Sequence, residues 1–336
     1  MTVTTLTLFI PDLFRSGNDA SVYANLILPA LESFLSQGDL AEIPREDENE
    51  WLCRRFGVAR QQDWPVAPLT ALGLGVDPET RYWLHADPVQ LAVDRDRLVL
   101  TRRNHISATH TTALLESLNQ HFASSGLQFH APQTDHWFVN FPQAPLLRTT
   151  TLANAMGRNI DRLLPTGQDG KTWQALFNET QMLLHEHPVN VEREQQGESP
   201  VNSLWFWGGG TLPAAAAPYD AVFGHSPLLK GLCRQAGVAM QPVPGQFLAT
   251  GGQGLFVELA EAVPTDRWRE SLCEQDTTWF RPIAQALRAG HLSELRIATV
   301  QNGRSLEWVC RRSDAWKFWR RQRPLADFAG SETRPA

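Results

Sequence analysis

After about residue 146, strand patterns and helix patterns alternate along the chain, and this alternation constrains the fold more than any other feature. Some of the strand patterns are separated by amphipathic helix patterns, of which 171–187 is the clearest. Such alternation is typical of a mixed or parallel sheet with helices on both faces. The sequence therefore predicts an α/β fold. The strand candidates are 203–207, 219–223, 255–259, 295–300 and 306–310, and the other helix candidates are 226–236, 265–272 and 277–289.

A smaller α+β pattern precedes this region. Short strand patterns, a helix with Ser107 as its N-cap and a hairpin over 127–141 follow one another. Before them, alternation predicts a strand over 2–10 and apolar spacing predicts a helix over 20–37, with a kink or late start at Pro29. Residues 39–50 are predicted to be a loop and 63–68 to be extended. We expect a discontinuous α/β core domain (1–79 and 146–325), an inserted α+β domain (80–145) and a flexible tail (326–336).

Charge and composition exclude several classes of protein. Thirty Lys and Arg residues against thirty-six Asp and Glu residues give a net charge of −6, which makes a nucleic-acid partner unlikely on electrostatic grounds. No apolar run approaches the ~18 residues of a membrane span. The four cysteines form no CxxC pair, and the first ten residues lack the basic start of a signal peptide. A cytoplasmic protein with reduced thiols is expected.

The most unusual stretch runs from Asn190 to Pro213. A strand pattern with two tryptophans leads directly into three glycines. If a ligand bound there, backbone N–H groups of the glycines would hold an oxyanion and nearby polar side chains would orient it. The alternative is structural, because glycines often only make turns and tryptophans usually pack. The ligand-binding candidates are Asn190, Arg193, Asn202, Trp207, Gly208 and Gly210.

Three other motifs favour structural interpretations. Residues 165–172 end like a phosphate loop but carry Pro165 where the first glycine is required. His185 and His187 are two residues apart, whereas ligands on one helix face need a spacing of three or four. Residues 304–323 carry a net charge of +5 with interleaved aromatic residues. A final helix with its aromatic face packed is the preferred interpretation there, ahead of an acidic protein partner or single-stranded nucleic acid.

Several segments occur in the order of one known family. Leu8-Phe-Ile-Pro-Asp12 ends a strand, 29–38 and 64–78 follow, and Asn190…Arg193…Pro200-Val-Asn202…Trp207-Gly208-x-Gly210 is the most specific run. Together they resemble the archaeal-type, cofactor-independent phosphoglycerate mutases of the alkaline-phosphatase-like superfamily. The resemblance implies an alkaline-phosphatase-like mixed or parallel sheet with an inserted domain. For an active member it also implies two divalent metals such as Mn or Zn.

The departures from the family pattern bear on activity. Counting back from Gly75-Val-Asp77-Pro78, the resemblance places the family's nucleophilic serine at Val66 and its adjacent metal-ligand aspartate at Ala67. Valine cannot accept a phosphoryl group and alanine cannot bind a metal. The later histidine and Asp-His segments have no counterpart in 260–269 or 299–302. No catalytic residue, no metal ligand and no cofactor are therefore predicted.

The runs Pro-Val-Asn-Ser-Leu-Trp-x-Trp-Gly-Gly-Gly and Leu-His-Glu-His-Pro-Val-Asn resemble those of RpfE-type regulatory proteins. The resemblance implies a regulatory role in bacterial signalling. Together with the departures at positions 66 and 67, it leads us to expect a catalytically degenerate mutase-like protein that acts as a binding or regulatory protein, with an unknown protein partner or a small anionic metabolite as its ligand. The alternative is an active metal-dependent mutase, phosphotransferase or phosphatase with a rearranged nucleophile such as Thr70 or Ser33.

Overall fold

The computed structural model describes residues 3–11, 13–15, 20–44, 46–94, 97–103, 106–247, 252–259, 267–301, 303–317 and 319–329. The strands are β1 (Val3–Phe9), β2 (Asp39–Pro44), β3 (Tyr82–Asp94), β4 (Arg97–Arg103), β5 (Gln128–Gln133), β6 (His136–Phe141), β7 (Ser203–Gly210), β8 (Ala221–Phe223), β9 (Met240–Gln241), β10 (Gly252–Glu258), β11 (Leu292–Gln301) and β12 (Arg304–Arg311). The helices are α1 (Pro29–Gln37), α2 (Glu48–Arg55), α3 (Val66–Gly73), α4 (Ala108–His121), α5 (Leu152–Ala155), α6 (Gly170–His185), α7 (Pro188–Gln195), α8 (Pro227–Gln235), α9 (Trp268–Gln275), α10 (Arg281–Ala289) and α11 (Ala326–Ala329).

The chain forms two compact units. Unit 1 consists of 1–55, 217–226 and 236–336, and unit 2 of 56–216 and 227–235. This division differs from the expected one, which placed 56–79 and 146–216 with the core domain and not with 80–145. The physical reason is strand pairing: β7 lies antiparallel to β3, from Trp83 opposite Gly210 to Val89 opposite Ser203. Residues on both sides of the predicted boundary therefore share one sheet.

Unit 1 is built on a seven-stranded sheet in the order β2-β12-β11-β1-β10-β8-β9. Strands β11, β1, β10, β8 and β9 are parallel neighbours, whereas β12 and β2 are added antiparallel at one edge. The predicted strands here are confirmed. The predicted loop over 39–50 is wrong, because 39–44 pairs with β12 as an edge strand and α2 begins at Glu48.

The end of the chain also differs from expectation. Residues 304–311 form β12, which confirms the strand predicted over 306–310, because Leu306, Trp308 and Cys310 alternate towards the core as strand residues do. The final helix preferred for 304–323 is wrong over these residues. The first residues of the expected flexible tail, 326–329, form the short helix α11. Phe328 of that helix is buried with its ring at right angles to Trp308, the centroids 6.2 Å apart. Residues 330–336 lie outside the described part of the chain.

The predicted late start of the first helix at Pro29 is confirmed. Proline at the first helical position loses nothing, because that N–H has no partner inside a helix. The next two N–H groups, of Ala30 and Leu31, donate to the buried carboxylate of Asp276 at 3.1 and 2.9 Å. Asp276 begins a π-helix over 276–280 between α9 and α10, so a distant side chain provides the cap.

Unit 2 is built on a five-stranded sheet in which β3 pairs with β4, β6 and β7, and β5 completes it beside β6. The predicted helix with Ser107 as N-cap is confirmed as α4, since the Ser107 hydroxyl accepts from the N–H of His110. The predicted hairpin is confirmed as β5 and β6, and the clearest predicted helix as α6.

Two glycines let α3 and α8 cross at close range within unit 2. A Cβ atom on Gly73 would overlap the carbonyl oxygen of Pro227, and one on Gly231 would overlap the carbonyl oxygen of Leu69. The backbones of the two helices are therefore in direct contact, which any larger residue would prevent.

Candidate functional site

The position at which the resemblance places the nucleophile is the first residue of α3. The expected extended conformation of 63–68 is wrong from Val66 onward, because Pro65 is the N-cap and Pro68 falls in the first turn, where a missing N–H costs no hydrogen bond. Val66 and Ala67 are 2% and 0% exposed. Both side chains are enclosed in the protein.

The surroundings of Val66 and Ala67 are mostly apolar. A Cβ atom on Gly208 would lie 3.2 Å from the Cβ of Val66, so the glycine of β7 leaves just the room that the valine fills. Ala67 packs in a cluster with Trp83 and Phe138 on the facing sheet. Hydrocarbon therefore occupies the place to which the resemblance assigns the nucleophile, which needs a reactive oxygen or sulfur.

The two alternative nucleophiles are placed differently. Thr70 is buried one turn further along α3, and its hydroxyl donates to the carbonyl of Val66 at 2.9 Å. Ser33 lies on α1 of unit 1 and is half-buried. Neither shows the arrangement of an activated hydroxyl, which needs a base within hydrogen-bond reach.

Asp63, which the sequence analysis did not single out, seals the free edge of β7. Its carboxylate accepts from the Thr149 N–H at 3.0 Å, from the Thr149 hydroxyl at 2.6 Å and from the N–H of Gly209. The Thr149 hydroxyl oxygen in turn accepts from the Gly208 N–H at 3.2 Å. Burial raises the pKa of Asp63. The N–H groups of Gly208 and Gly209, two of the glycines that were candidates for holding an oxyanion, are thus bound by the protein itself.

Trp207, another of the predicted ligand residues, makes a hydrogen bond and a ring stack with two residues of β3. Its indole Nε1–H donates to the Asp87 carboxylate at 2.6 Å, and both residues are buried. The imidazole of His85 stacks on a face of the Trp207 indole, with ring centroids 4.3 Å apart and planes 10° from parallel. Asp87 and His85 both lie on β3, so Trp207 joins the two strands.

The polar atoms of Asn190 and Asn202 serve the same strand. Asn190 is 3% exposed, and its amide donates to the carbonyls of Leu184 and Val201 and accepts from the Val201 N–H, all within 2.9 Å. Asn202 mimics a strand partner by accepting from the Leu91 N–H at 2.8 Å and donating to the Leu91 carbonyl at 2.9 Å.

Arg193 is 3% exposed and closes the loop before β7. Its Nε donates to the carbonyl of Ser199 at 2.9 Å, and a terminal guanidinium nitrogen lies 2.8 Å from the Glu198 carboxylate. Gly210, at the far end of β7, would place a Cβ against Pro65 and Gln61. A strand of this length spans roughly 25 Å, so Asn202 and Gly210 are too far apart to bind one small ligand together.

The His185-Glu186-His187 motif contains a helix cap. The Nδ1 of His187 accepts from the Val189 N–H at 3.2 Å and begins α7, while its Nε2 lies 2.8 Å from the Ser117 hydroxyl. Since Nδ1 is an acceptor, the proton of the neutral ring is on Nε2. This tautomer donates to Ser117 and does not remove its proton, so the pair is unsuited to nucleophilic catalysis.

The described residues do not fit a two-metal centre. At the carboxyl ends of the parallel strands of unit 1, the buried Glu258 already accepts from the N–H groups of His225 and Ser226, each at 3.0 Å. Among the residues that the structure describes, no group of three or more His, Cys, Asp or Glu side chains lies close enough to hold an ion. Asp12, the family-like aspartate after β1, lies outside them.

Comparison with solved structures places this architecture in a class. The cofactor-independent phosphoglycerate mutase of Thermoplasma acidophilum superposes with a TM-score of 0.50 over 99% of this chain and 96% of its own, at 16% identity. The predicted fold class is confirmed: an alkaline-phosphatase-like α/β fold with a mixed sheet. No helix in the described ranges is both long and apolar enough to cross a bilayer.

The sequence comparisons show which proteins this chain is similar to. The family model described as 2,3-bisphosphoglycerate-independent phosphoglycerate mutase matches residues 66–190. The mutase of Methanosarcina mazei is 29% identical over 218 residues, which cover 59% of this chain and 52% of the relative. A probable mutase of Geobacter sulfurreducens is 25% identical over the same shares. The chain spans about half the length of these curated relatives. It is a phosphoglycerate-mutase-like protein.

Proposed function

We propose that this chain is a catalytically silent phosphoglycerate-mutase-like protein that acts by binding, in a regulatory role like that implied by its resemblance to RpfE-type proteins. The observation that carries the proposal is Val66. A buried hydrocarbon side chain stands where the resemblance places the nucleophile, with Ala67 beside it in place of a metal ligand.

The surrounding contacts support this proposal. Restoring a hydroxyl at position 66 would not by itself expose it, because that position is 2% exposed and Gly208 of β7 lies against its side chain. Thr70, the nearest alternative, has its hydroxyl committed to the helix backbone. The described residues also lack a ligand cage, and two ions without carboxylate and imidazole ligands would not stay bound.

Elemental analysis distinguishes a catalytically silent protein from the active, metal-dependent alternative. The full chain, purified without chelator, is expected to carry well under one equivalent of Mn or Zn, and added Mn²⁺ is expected to leave its thermal midpoint unchanged. Stoichiometric metal that survives dialysis would refute the proposal and favour the rearranged enzyme.

A ligand pocket at the six predicted residues stays a prediction. Calorimetric titration of the full chain with 3-phosphoglycerate tests it directly. Because the polar atoms of these residues bond within the protein, we expect no saturable heat. A saturable signal that Arg193→Lys weakens would show that the six residues keep a ligand-binding function.

A further inference from the structure

A shallow, open depression of about 40 Å³ lies between α1 and α10 of unit 1. Its floor is apolar: Phe34 and Ala284 are half-buried, and Leu287 and Cys310 are buried. Burial raises the pKa of the Cys310 thiol to about 12, and the thiol donates to the Phe34 carbonyl, so it is not a reactive thiolate. The floor therefore offers a neutral apolar surface.

The rim of the depression carries three arginines and one acidic residue, Asp314, which is paired with Lys317. Arg288, Arg311 and Arg312 line it and all three are exposed. The guanidinium of Arg311 is paired with Glu294, 2.9 Å away. Arg288 and Arg312 have no carboxylate within ion-pair distance among the residues that the structure describes. Within the described part of the chain, the rim thus presents two positive charges without a carboxylate partner beside an apolar floor.

Other cations near the end of α1 are already used. Lys317 lies 2.9 Å from both Asp39 and Asp314, and Arg320 donates to the carbonyls of Gln37 and Gly38 at 3.0 Å. These groups compensate the negative end of the helix dipole. The same explanation does not cover Arg312, which follows β12 and has no such carbonyl partner in the described structure.

We propose that this depression, with its basic rim, is a docking site for an acidic segment of a partner protein. One apolar side chain of the segment enters the floor over Phe34 and Leu287, and flanking carboxylates meet Arg288 and Arg312. An exposed basic rim around an apolar centre is complementary to such a segment, and complementary charge also speeds association. The inference is independent of the state of position 66.

Other occupants fit the observations less well. A small free anion could meet the same arginines, but it would leave the apolar floor without a partner. A nucleic acid needs a longer row of cations than two unpaired arginines on a chain of net charge −6. The exposed Trp319 could stack on a base, so nucleic acid is tested as well.

Fluorescence anisotropy with the full chain tests the proposal. The probe is a fluorescein-labelled nonapeptide of eight glutamates around a central leucine, at about 50 mM salt so that screening is weak. We expect saturable binding that weakens about tenfold or more in Arg288→Glu/Arg312→Glu. Ala284→Gln, which fills the floor without changing charge, is expected to reduce affinity to that of an all-glutamate peptide.

Arg158→Glu/Arg162→Glu is the matched control, since both arginines are exposed and lie on unit 2. It is expected to bind like the wild type, and urea midpoints verify that all variants are folded. Equal binding by the leucine and all-glutamate peptides, or by both double variants, would overturn the proposal. So would tighter binding of a labelled dT12, or a wild-type dimer that Arg288→Glu/Arg312→Glu dissociates.

Discussion

Asn190 separates a structural from a ligand-binding role for the predicted site. Its buried amide makes three hydrogen bonds, two of them to the backbone of Val201 just before β7. Asn190→Ala leaves the Val201 N–H and carbonyl without these partners in an enclosed place. An unsatisfied buried group costs about 1–3 kcal/mol, so we expect a loss of about 3 kcal/mol in the free energy of unfolding.

The assay is urea unfolding followed by tryptophan fluorescence, with a thermal scan beside it. For a unit of this size, 3 kcal/mol corresponds to a fall of about 6–12 °C in the thermal midpoint. Asn154→Ala is the control, because that side chain is exposed, and a change within about 0.5 kcal/mol is expected. A loss below about 1 kcal/mol, combined with weaker binding of 3-phosphoglycerate, would refute the structural role.

Three further predictions use the same unfolding assay. Gly231→Ala should cost more than about 3 kcal/mol or prevent folding, because its Cβ would overlap the Leu69 carbonyl, whereas Gly245→Ala, with open space around it, should be neutral; equal losses would refute the helix crossing. Asp63→Asn should lower the free energy of unfolding by about 2 kcal/mol, since an amide N–H₂ would face the donors of Thr149. An unchanged urea midpoint would contradict the role of Asp63 in binding the edge of β7. Burial lowers the pKa of His187, whose neutral Nδ1 caps α7. The stabilising effect of this cap should therefore be lost as pH falls below about 6.5, and the free energy of unfolding should fall by at most about 1.4 kcal/mol per pH unit. His187→Asn keeps the cap and should flatten this pH dependence, whereas parallel pH profiles for the two proteins would contradict the assignment.

Local signals were sufficient where one segment determines its own structure. The N-cap Ser107, the proline at the start of α1 and the apolar spacing of α6 each predicted an element correctly. Local signals failed where the structure of a segment depends on a partner far away in the sequence. Residues 39–44 are acidic and contain a proline, yet they form β2 because β12 offers an unpaired edge.

The candidate site shows the same limit. The unusual composition of 190–213 marked a special region, but not its purpose. The glycines of β7 are there because Val66, Tyr82 and Pro65 pack against the strand, a constraint invisible in local sequence. Asp63 was missed because its partner Thr149 is 86 residues away, and no spacing rule connects them.

The central proposal concerns position 66, where buried hydrocarbon stands at the place that the resemblance gives to the nucleophile. Phosphorus-31 NMR of 3-phosphoglycerate, incubated with the full chain and Mn²⁺, follows the phosphoryl group itself and needs no coupling enzyme. We expect the resonance to persist unchanged over many hours at micromolar protein. Growth of a 2-phosphoglycerate or inorganic phosphate resonance, at a rate proportional to the protein concentration, would contradict the claim.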